Sequence, residues 1–407
     1  MIRRLLAAAA ATACLALAAL LGPAAQASSV YSVGGLGEPS LEESARLRAM
    51  GGAGAGEYGP DRFSLVNPAS MAGVRHLLLQ GSILPTYRRV SGADASESAT
   101  ETIVPAIRGL VRLPGGVVLG AAYAVGTDAS FRIDRAENAG TPSTLRIDGS
   151  GGLQHIRLGV ARDLNSVFRV GLEHEIIAGY FREEWTRTFS DPSLSVSRDT
   201  LEARYERLGR WRIGAQGTLR GWTLGGVVET GRRLPLTYLQ RAAGSTIEED
   251  AAPLRIPAGF VAGVTGPLNG RWRVAAQYRR ANWSRSSLES DLVDFRAMQR
   301  VSLGFERAGS DEPGAGFRAR LPLRFGVSYL QWPDLLPIAG ANDITGGAAG
   351  VNEWTFSLGT GVMTQDKGGS LDLSLEAGTR GNRDELGVNE RYLRAAVTLQ
   401  VSDDTWK

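Results

Sequence analysis

Cysteine is all but missing from this chain. Among 407 residues only Cys14 is one. It lies in an N-terminal stretch that reads as a leader, so the remainder forms no disulfide and carries no thiol nucleophile. Histidine is scarce too: His76, His155 and His174 are the three present, which leaves few bases or metal ligands. Beyond the leader no run of about eighteen apolar residues occurs, which excludes a membrane-spanning helix. An excess of one charge is also lacking. The formal net charge is +3, and its cations, almost all arginine, are scattered over alternate positions. That pattern is unlike the clustered footprint of a nucleic-acid binder. Helical periodicity is confined to one short stretch, Glu42 to Met50, closed by the glycines that follow.

What the chain has is glycine, 52 residues of it, and a two-residue rhythm. From Arg271 to Arg279 the even positions are Trp272, Val274, Ala276 and Tyr278, while the odd ones are mostly Arg and Gln. A β-strand sends successive side chains to opposite faces, so such a segment has one apolar and one polar side. The rhythm recurs in about fourteen segments, from His76–Val90 through Val167–Thr188, Trp222–Arg232 and Glu353–Thr364 to Arg391–Val401. Connections alternate between short ones, such as Pro114-Gly115-Gly116 and Arg220-Gly221, and long ones, such as 126–145, 186–200, 233–253, 284–298, 332–352 and 379–390. Short periplasmic turns and long outer loops are the habit of outer-membrane barrels. Lipid offers no partner to backbone N–H or C=O, so a ring of paired strands with no free edge is what such a chain can build.

The N-terminus fits that destination. Arg3 and Arg4 precede an alanine-rich apolar stretch from Leu5 to Leu21, and Ala25-Gln26-Ala27 is a small-x-small cleavage site. Residues 1–27 are expected to be a signal peptide cut after Ala27, 28–75 a non-strand plug containing a helical turn, and 76–407 a transmembrane antiparallel β-barrel of about fourteen strands. The expected location is the outer membrane of a Gram-negative-type bacterium. The predicted lipid face includes Phe168, Val170 and Leu172, Trp211 and Ile213, and Trp354, Phe356 and Leu358. Asp372, Ser374 and Glu376 should face the lumen.

One motif carries a family resemblance. Arg48-Ala49-Met50-Gly51-Gly52-Ala53, followed by Gly54 and Gly56 and then by Asn67-Pro68-Ala69, resembles the start of FadL-like outer-membrane proteins, transporters of long-chain fatty acids and other hydrophobic compounds. The related PorV-type group shares it. The tail, with Tyr392-Leu393-Arg394 and then Asp403-Asp404-Thr405-Trp406, is similar to that superfamily as well, although the last residue is Lys407 rather than an aromatic. The resemblance implies a fourteen-stranded barrel whose N-terminal plug fills the lumen and whose hydrophobic cargo leaves sideways through the wall. Gly51 to Gly56 would then be a hinge and Asn67-Pro68-Ala69 an anchor; the other reading is that these glycines simply make tight turns.

Other chemistry weighs little. Gly54-x-Gly56-x-x-Gly59 follows a helical piece rather than a strand and runs into Pro60, so it is not a dinucleotide fingerprint. Adjacent strand residues point opposite ways, so Glu173, His174 and Glu175 cannot gather on one metal. His155, facing the lumen with Arg157, is the one candidate base for an outer-membrane lipid hydrolase, but no nucleophile signature accompanies it. Leu292, Trp332, Leu335 and Leu336 sit in segments read as outer loops, where they would capture apolar cargo or cap one another. The expected function is outer-membrane transport of hydrophobic small molecules, fatty-acid-like in kind, with a PorV-like docking role for secreted proteins as the alternative. No cofactor, metal or nucleic acid is expected. The expected partners are outer-membrane lipid, lipopolysaccharide, the cargo and, in the alternative, secretion proteins.

Overall fold

The computed structural model describes residues 29–403, apart from residues 34, 61, 94–95, 138–140, 243–244, 289–292, 311, 313, 340–345 and 364–367. The alternating segments fold as fourteen antiparallel staves closed into a barrel. In chain order they are β1 (Leu77–Ser91), β2 (Ser96–Ile103 and Ala106–Arg112), β3 (Val117–Val125 and Phe131–Glu137), β4 (Ser143–Asp163) and β5 (Phe168–Phe189). Then come β6 (Ser197–Leu219), β7 (Trp222–Glu229 and Arg232–Ala242), β8 (Ser245–Ile256 and Gly259–Asn269), β9 (Trp272–Asn282) and β10 (Asp294–Phe295 and Ala297–Arg307). The last four are β11 (Leu323–Pro337), β12 (Ala348–Met363), β13 (Gly369–Arg380) and β14 (Asn389–Asp403). β14 pairs back onto β1, from Leu77 opposite Asp403 to Ser91 opposite Asn389, and this closes the ring. Two staves break at prolines, Pro105 in β2 and Pro257 in β8, which bring no N–H to the ladder.

The two faces fall where the rhythm places them. Ile213, Leu224 and Phe356 are outward and exposed, whereas Asp372, Ser374, Glu376 and Thr398 are buried within the lumen. On β12 the outward series from Trp354 to Val362 spans ~27 Å of strand at ~3.4 Å per residue. Tilted by about 40°, that is close to the apolar band of roughly 25 Å found in outer-membrane barrels. Aromatic pairs mark both borders of the band. Tyr329–Trp354 (5.0 Å), Phe260–Tyr278 (5.8 Å) and His174–Trp211 (4.6 Å) lie toward the outer end, and Trp272–Phe325 (5.8 Å) and Phe305–Phe325 (5.1 Å) toward the inner end. His174 is therefore outward, stacked on Trp211, while its neighbours Glu173 and Glu175 are buried inside.

Above the outer aromatic border the polarity of the wall inverts. The inward positions become apolar, and Phe131, Phe181, Tyr205, Leu234, Ile256 and Phe295 join one buried cluster, while Arg132, Arg182 and Arg204 face outward. This corrects the loop expectation. Much of 126–145, 186–200, 233–253 and 332–352 is paired strand that carries the barrel beyond the membrane. The strict alternation of connections also has an exception: on the short-turn side, 308–322 is an extended connection holding a one-turn helix, Phe317–Arg320.

Candidate functional site

Residues 29–75 thread the lumen. The helix expected over Glu42–Met50 is a single turn, α1 (Ala45–Arg48). It is capped by the wall, because the Ala45 amide donates to Thr398 Oγ1 at 2.7 Å while the Ser44 side chain makes no cap bond. Gly51 and Gly52 end it with φ of 67° and 81°, a left-handed conformation that favours glycine. The chain then presses on the wall. Met50 is fully buried against Gly304 and Gly326, and the amides of Gly54 and Ala55 both donate to Gln277 Oε1, at 3.0 and 2.8 Å. Gly56 lies against the backbone of Thr223 and Thr265. Turn geometry and close approach account for these glycines without a hinge.

Asn67 opens a 3-10 turn, Pro68–Gly73, with its side chain accepting from the Ala69 amide at 3.0 Å. Its own amide donates to Ala55 O (2.9 Å) in the plug and Ala215 O (3.2 Å) in the wall. Pro68 suits the first position of such a turn, where no N–H is required. The wall offers glycine in return: a Cβ at Gly171 would stand 2.3 Å from Pro68 C, and one at Gly214 would stand 2.2 Å from Asn67 Oδ1.

Charges fix the plug on three sides. Glu38 meets Arg88 (2.9 Å), Arg380 (2.8 Å) and Arg394. Glu42 meets Arg157 (2.6 Å) and His155 (2.7 Å), beside a wall network of Glu175, Arg210, Arg212 and Glu229. Arg46 lies between Glu57 (2.9 Å) and Glu306 (3.0 Å), and Arg48 meets Glu376 (2.9 Å). Burial raises the affinity of the Glu38 carboxyl for a proton, but the guanidinium groups of Arg380, Arg394 and Arg88 outweigh it and hold the group well below the usual carboxylate range. Burial acts likewise on Glu42, where Arg157 and His155 prevail and the value again falls.

Beside the plug lies a cavity of about 120 Å³. Leu36, Leu153, Ile177, Ile256, Trp283 and Met298 give it apolar sides continuous with the outer cluster, and Arg279, Arg300 and Glu229 give it charged ones. Arg300 donates to Ser328 Oγ at 3.1 Å, and among the described residues it forms no ion pair. On the lipid side of the same wall, small residues of β6 to β9, including Ala215, Gly226, Ala262 and Ala276, floor an open apolar concavity of about 1020 Å³.

The residues expected in outer loops lie elsewhere. Trp332 belongs to β11 and is fully buried; it packs edge-on to Tyr31 at 6.5 Å and its indole N–H donates to Glu353 at 3.1 Å. Leu335 and Leu336 are half-buried in the same stave, with Leu336 packed between the apolar clusters, so all three are packed structure and not exposed capture tips. Leu292 lies outside the described residues. His155 is held by Glu42 and Arg157, and among the described residues no hydroxyl is hydrogen-bonded to its ring. Sequence reasoning passed over Glu38, Glu42 and Arg46, whose partners are 11 to 356 residues away.

Comparison with known proteins gives one family and one fold. The model of a family described as BamG matches residues 1–213. Among solved structures, a FadL homologue of Pseudomonas aeruginosa is 12% identical with a TM-score of 0.62, over 88% of this chain and 98% of its own. The toluene transporter TodX of Pseudomonas putida is 15% identical with a TM-score of 0.56, over 90% and 98%. The toluene transporter TbuX of Ralstonia pickettii is 16% identical with a TM-score of 0.55, over 89% and 99%. At these identities the likeness is one of fold. No curated protein sequence matches.

Proposed function

The chain belongs to the BamG family, and from that premise and the lumen just described we propose that it passes small hydrophobic molecules across the outer membrane. The observation that carries this reading is the cavity beside the plug, whose apolar sides run without interruption into the cluster that lines the outer mouth. An apolar molecule entering there gains about 0.8 kcal/mol for each methylene it buries. The size of the cavity, about 120 Å³, supports a small cargo. Apolar cavities of roughly 150 Å³ take benzene, whereas sites for larger ligands run from about 300 Å³ upward. A one-ring hydrocarbon fits with little movement. A fatty-acid-like cargo, its carboxylate toward Arg300, requires the plug to yield.

The test is uptake by proteoliposomes of the full chain. A one-ring aromatic should enter faster than into empty vesicles, a polar solute of equal size should not, and Met298→Trp, which fills the cavity, should remove most of the difference. Equal uptake by protein-containing and empty vesicles would overturn the reading. A second reading, a docking barrel for a secretion partner, is supported by the concavity on the lipid side. A protein that co-purifies in fixed proportion and is lost on Ala262→Trp would favour it.

A further inference from the structure

We propose that Arg89 and Arg391 form a clamp for the phosphate of a lipid in the outer leaflet. The two residues stand directly opposite each other across the seam where β14 closes onto β1. Both are exposed and point out of the barrel. Their strand neighbours Arg88 and Tyr392 are buried in the lumen, while Tyr87 and Leu393, two residues nearer the membrane centre, are outward and 48% and 52% exposed.

Register and the aromatic residue beneath them set their height. Tyr329 pairs with Trp354, Trp354 with Thr379, Thr379 with Arg391, Arg391 with Arg89, and Arg89 with Ser98. Because the staves tilt, the row climbs outward from the aromatic border as it runs toward β1, and the outward aromatic Tyr87, two residues beneath Arg89, marks headgroup level here. The arginines therefore lie where phosphates do, and the hydroxyls of Thr379 and Ser98 flank them.

An anion between the two side chains would relieve their repulsion. Like charges directly opposed on adjacent strands destabilise a sheet. Inside this barrel clustered arginines share carboxylates, as Arg88, Arg380 and Arg394 share Glu38. On the outside, among the described residues, Arg89 donates only to Ser96 Oγ, at 3.1 Å, and neither Arg89 nor Arg391 has an ion pair. Directly opposed residues have Cα atoms about 4.5–5.5 Å apart, so two planar guanidinium forks can close on one phosphate from both sides. Lipid and free inorganic phosphate share this chemistry. The position beside the apolar belt, with Tyr87 and Leu393 beneath to meet acyl chains, favours the lipid. The inference depends on the barrel's place in the membrane and not on what crosses its lumen.

The experiment is native mass spectrometry of the detergent-extracted full chain, titrated with a phosphorylated, acylated glucosamine disaccharide, with the same lipid after phosphatase treatment, and with inorganic phosphate. The parent should retain the phosphorylated lipid, and the doubly substituted R89Q/R391Q chain should bind it about thirtyfold more weakly, the order expected for two arginines at headgroup level. Arg280→Gln, which removes a lone outward arginine on β9, should change binding less than twofold. R89K/R391K, which keeps the charge without the fork, should lie between. Equal affinity in the parent and in an R89Q/R391Q chain that keeps the parent's unheated gel mobility would overturn the clamp. So would equal retention of the dephosphorylated lipid. Full displacement by millimolar inorganic phosphate would overturn the assignment to lipid and make the free anion the ligand.

Discussion

Glu38→Gln should release the plug while leaving the barrel intact. The carboxylate is nearly buried and holds three arginines, Arg88, Arg380 and Arg394. Hydrogen bonds to charged groups contribute about 1.5–3 kcal/mol each. Three would sum to more than the change can cost, because each arginine keeps another partner: Arg88 has Glu101 at 2.9 Å, Arg380 has Glu353 at 3.3 Å, and Arg394 has Glu353 at 3.7 Å. The loss is better set by a broken buried pair, about 3–5 kcal/mol, and the remaining carboxylates place it near the lower end. At roughly 3 kcal/mol the population with the plug undocked rises about 150-fold, since 1.4 kcal/mol is a factor of ten. The ladder between staves does not involve this side chain. Hydrogen exchange in the full chain should therefore quicken over residues 29–60 by about two orders of magnitude, while the staves exchange as before and the barrel keeps its heat-modifiable mobility on gels. Bilayer conductance should rise in parallel. Protection of the plug within threefold of the parent would refute the idea that ion pairs, and not packing alone, hold it.

The pH dependence of docking follows from the same groups. The Glu38 and Glu42 carboxyls are held below their ordinary value of 4.5 in the docked plug. Their stabilisation is thus fully present above that value and is lost as pH falls through the lower docked values. The share of plug protection that these carboxylates supply, read for Glu38 as the difference between the parent and the E38Q chain, should be flat from pH 7 to 5 and fail only on acidification well beneath 4.5; loss of that difference already at pH 5 contradicts this. Gly171→Val should dislodge the Asn67–Ala69 turn and lower thermal stability, because its Cβ would meet Pro68 C at 2.3 Å, whereas Gly226→Ala, outward with nothing within 4 Å, should be neutral in the same melt. Trp332→Ala should cost about 3–5 kcal/mol in a denaturant or thermal melt, as for other buried aromatic truncations. If it altered cargo uptake without altering stability, Trp332 would have a capture role after all.

How much of this was legible in the sequence depends on which solvent a residue meets. Lipid is uniform, so nearly every outward position in the belt is apolar, and a window of ten residues suffices to place Trp211, Phe356 and Leu375 outward and Glu376 inward. The inversion of polarity above the membrane defeats the same rule. There the inside is an apolar core and the outside is water, so Leu234, Leu236, Leu254 and Ile256 are buried while Arg233 and Arg255 are exposed. Along β11 the alternation changes sense near Trp332, and a rule tuned to lipid outside reads the change as the end of a strand; that is why Trp332, Leu335 and Leu336 were expected in a loop. The plug motif was visible because its turns are local, with Gly51, Gly52 and the Asn67 cap each explained within a few residues. Its ion pairs were not visible. Glu38 to Arg394 spans 356 residues, and an acidic residue in a loop looks the same whether it meets water or three guanidinium groups. The arginine-rich composition was nevertheless a sign. A wall whose inner face repeatedly carries Arg needs carboxylates to face it, and a plug that crosses the lumen is the segment able to supply them to opposite walls at once. Glu38 and Glu42 do this for β1 and β4, and within eleven residues Arg46 and Arg48 complete the exchange by meeting carboxylates of β10 and β13.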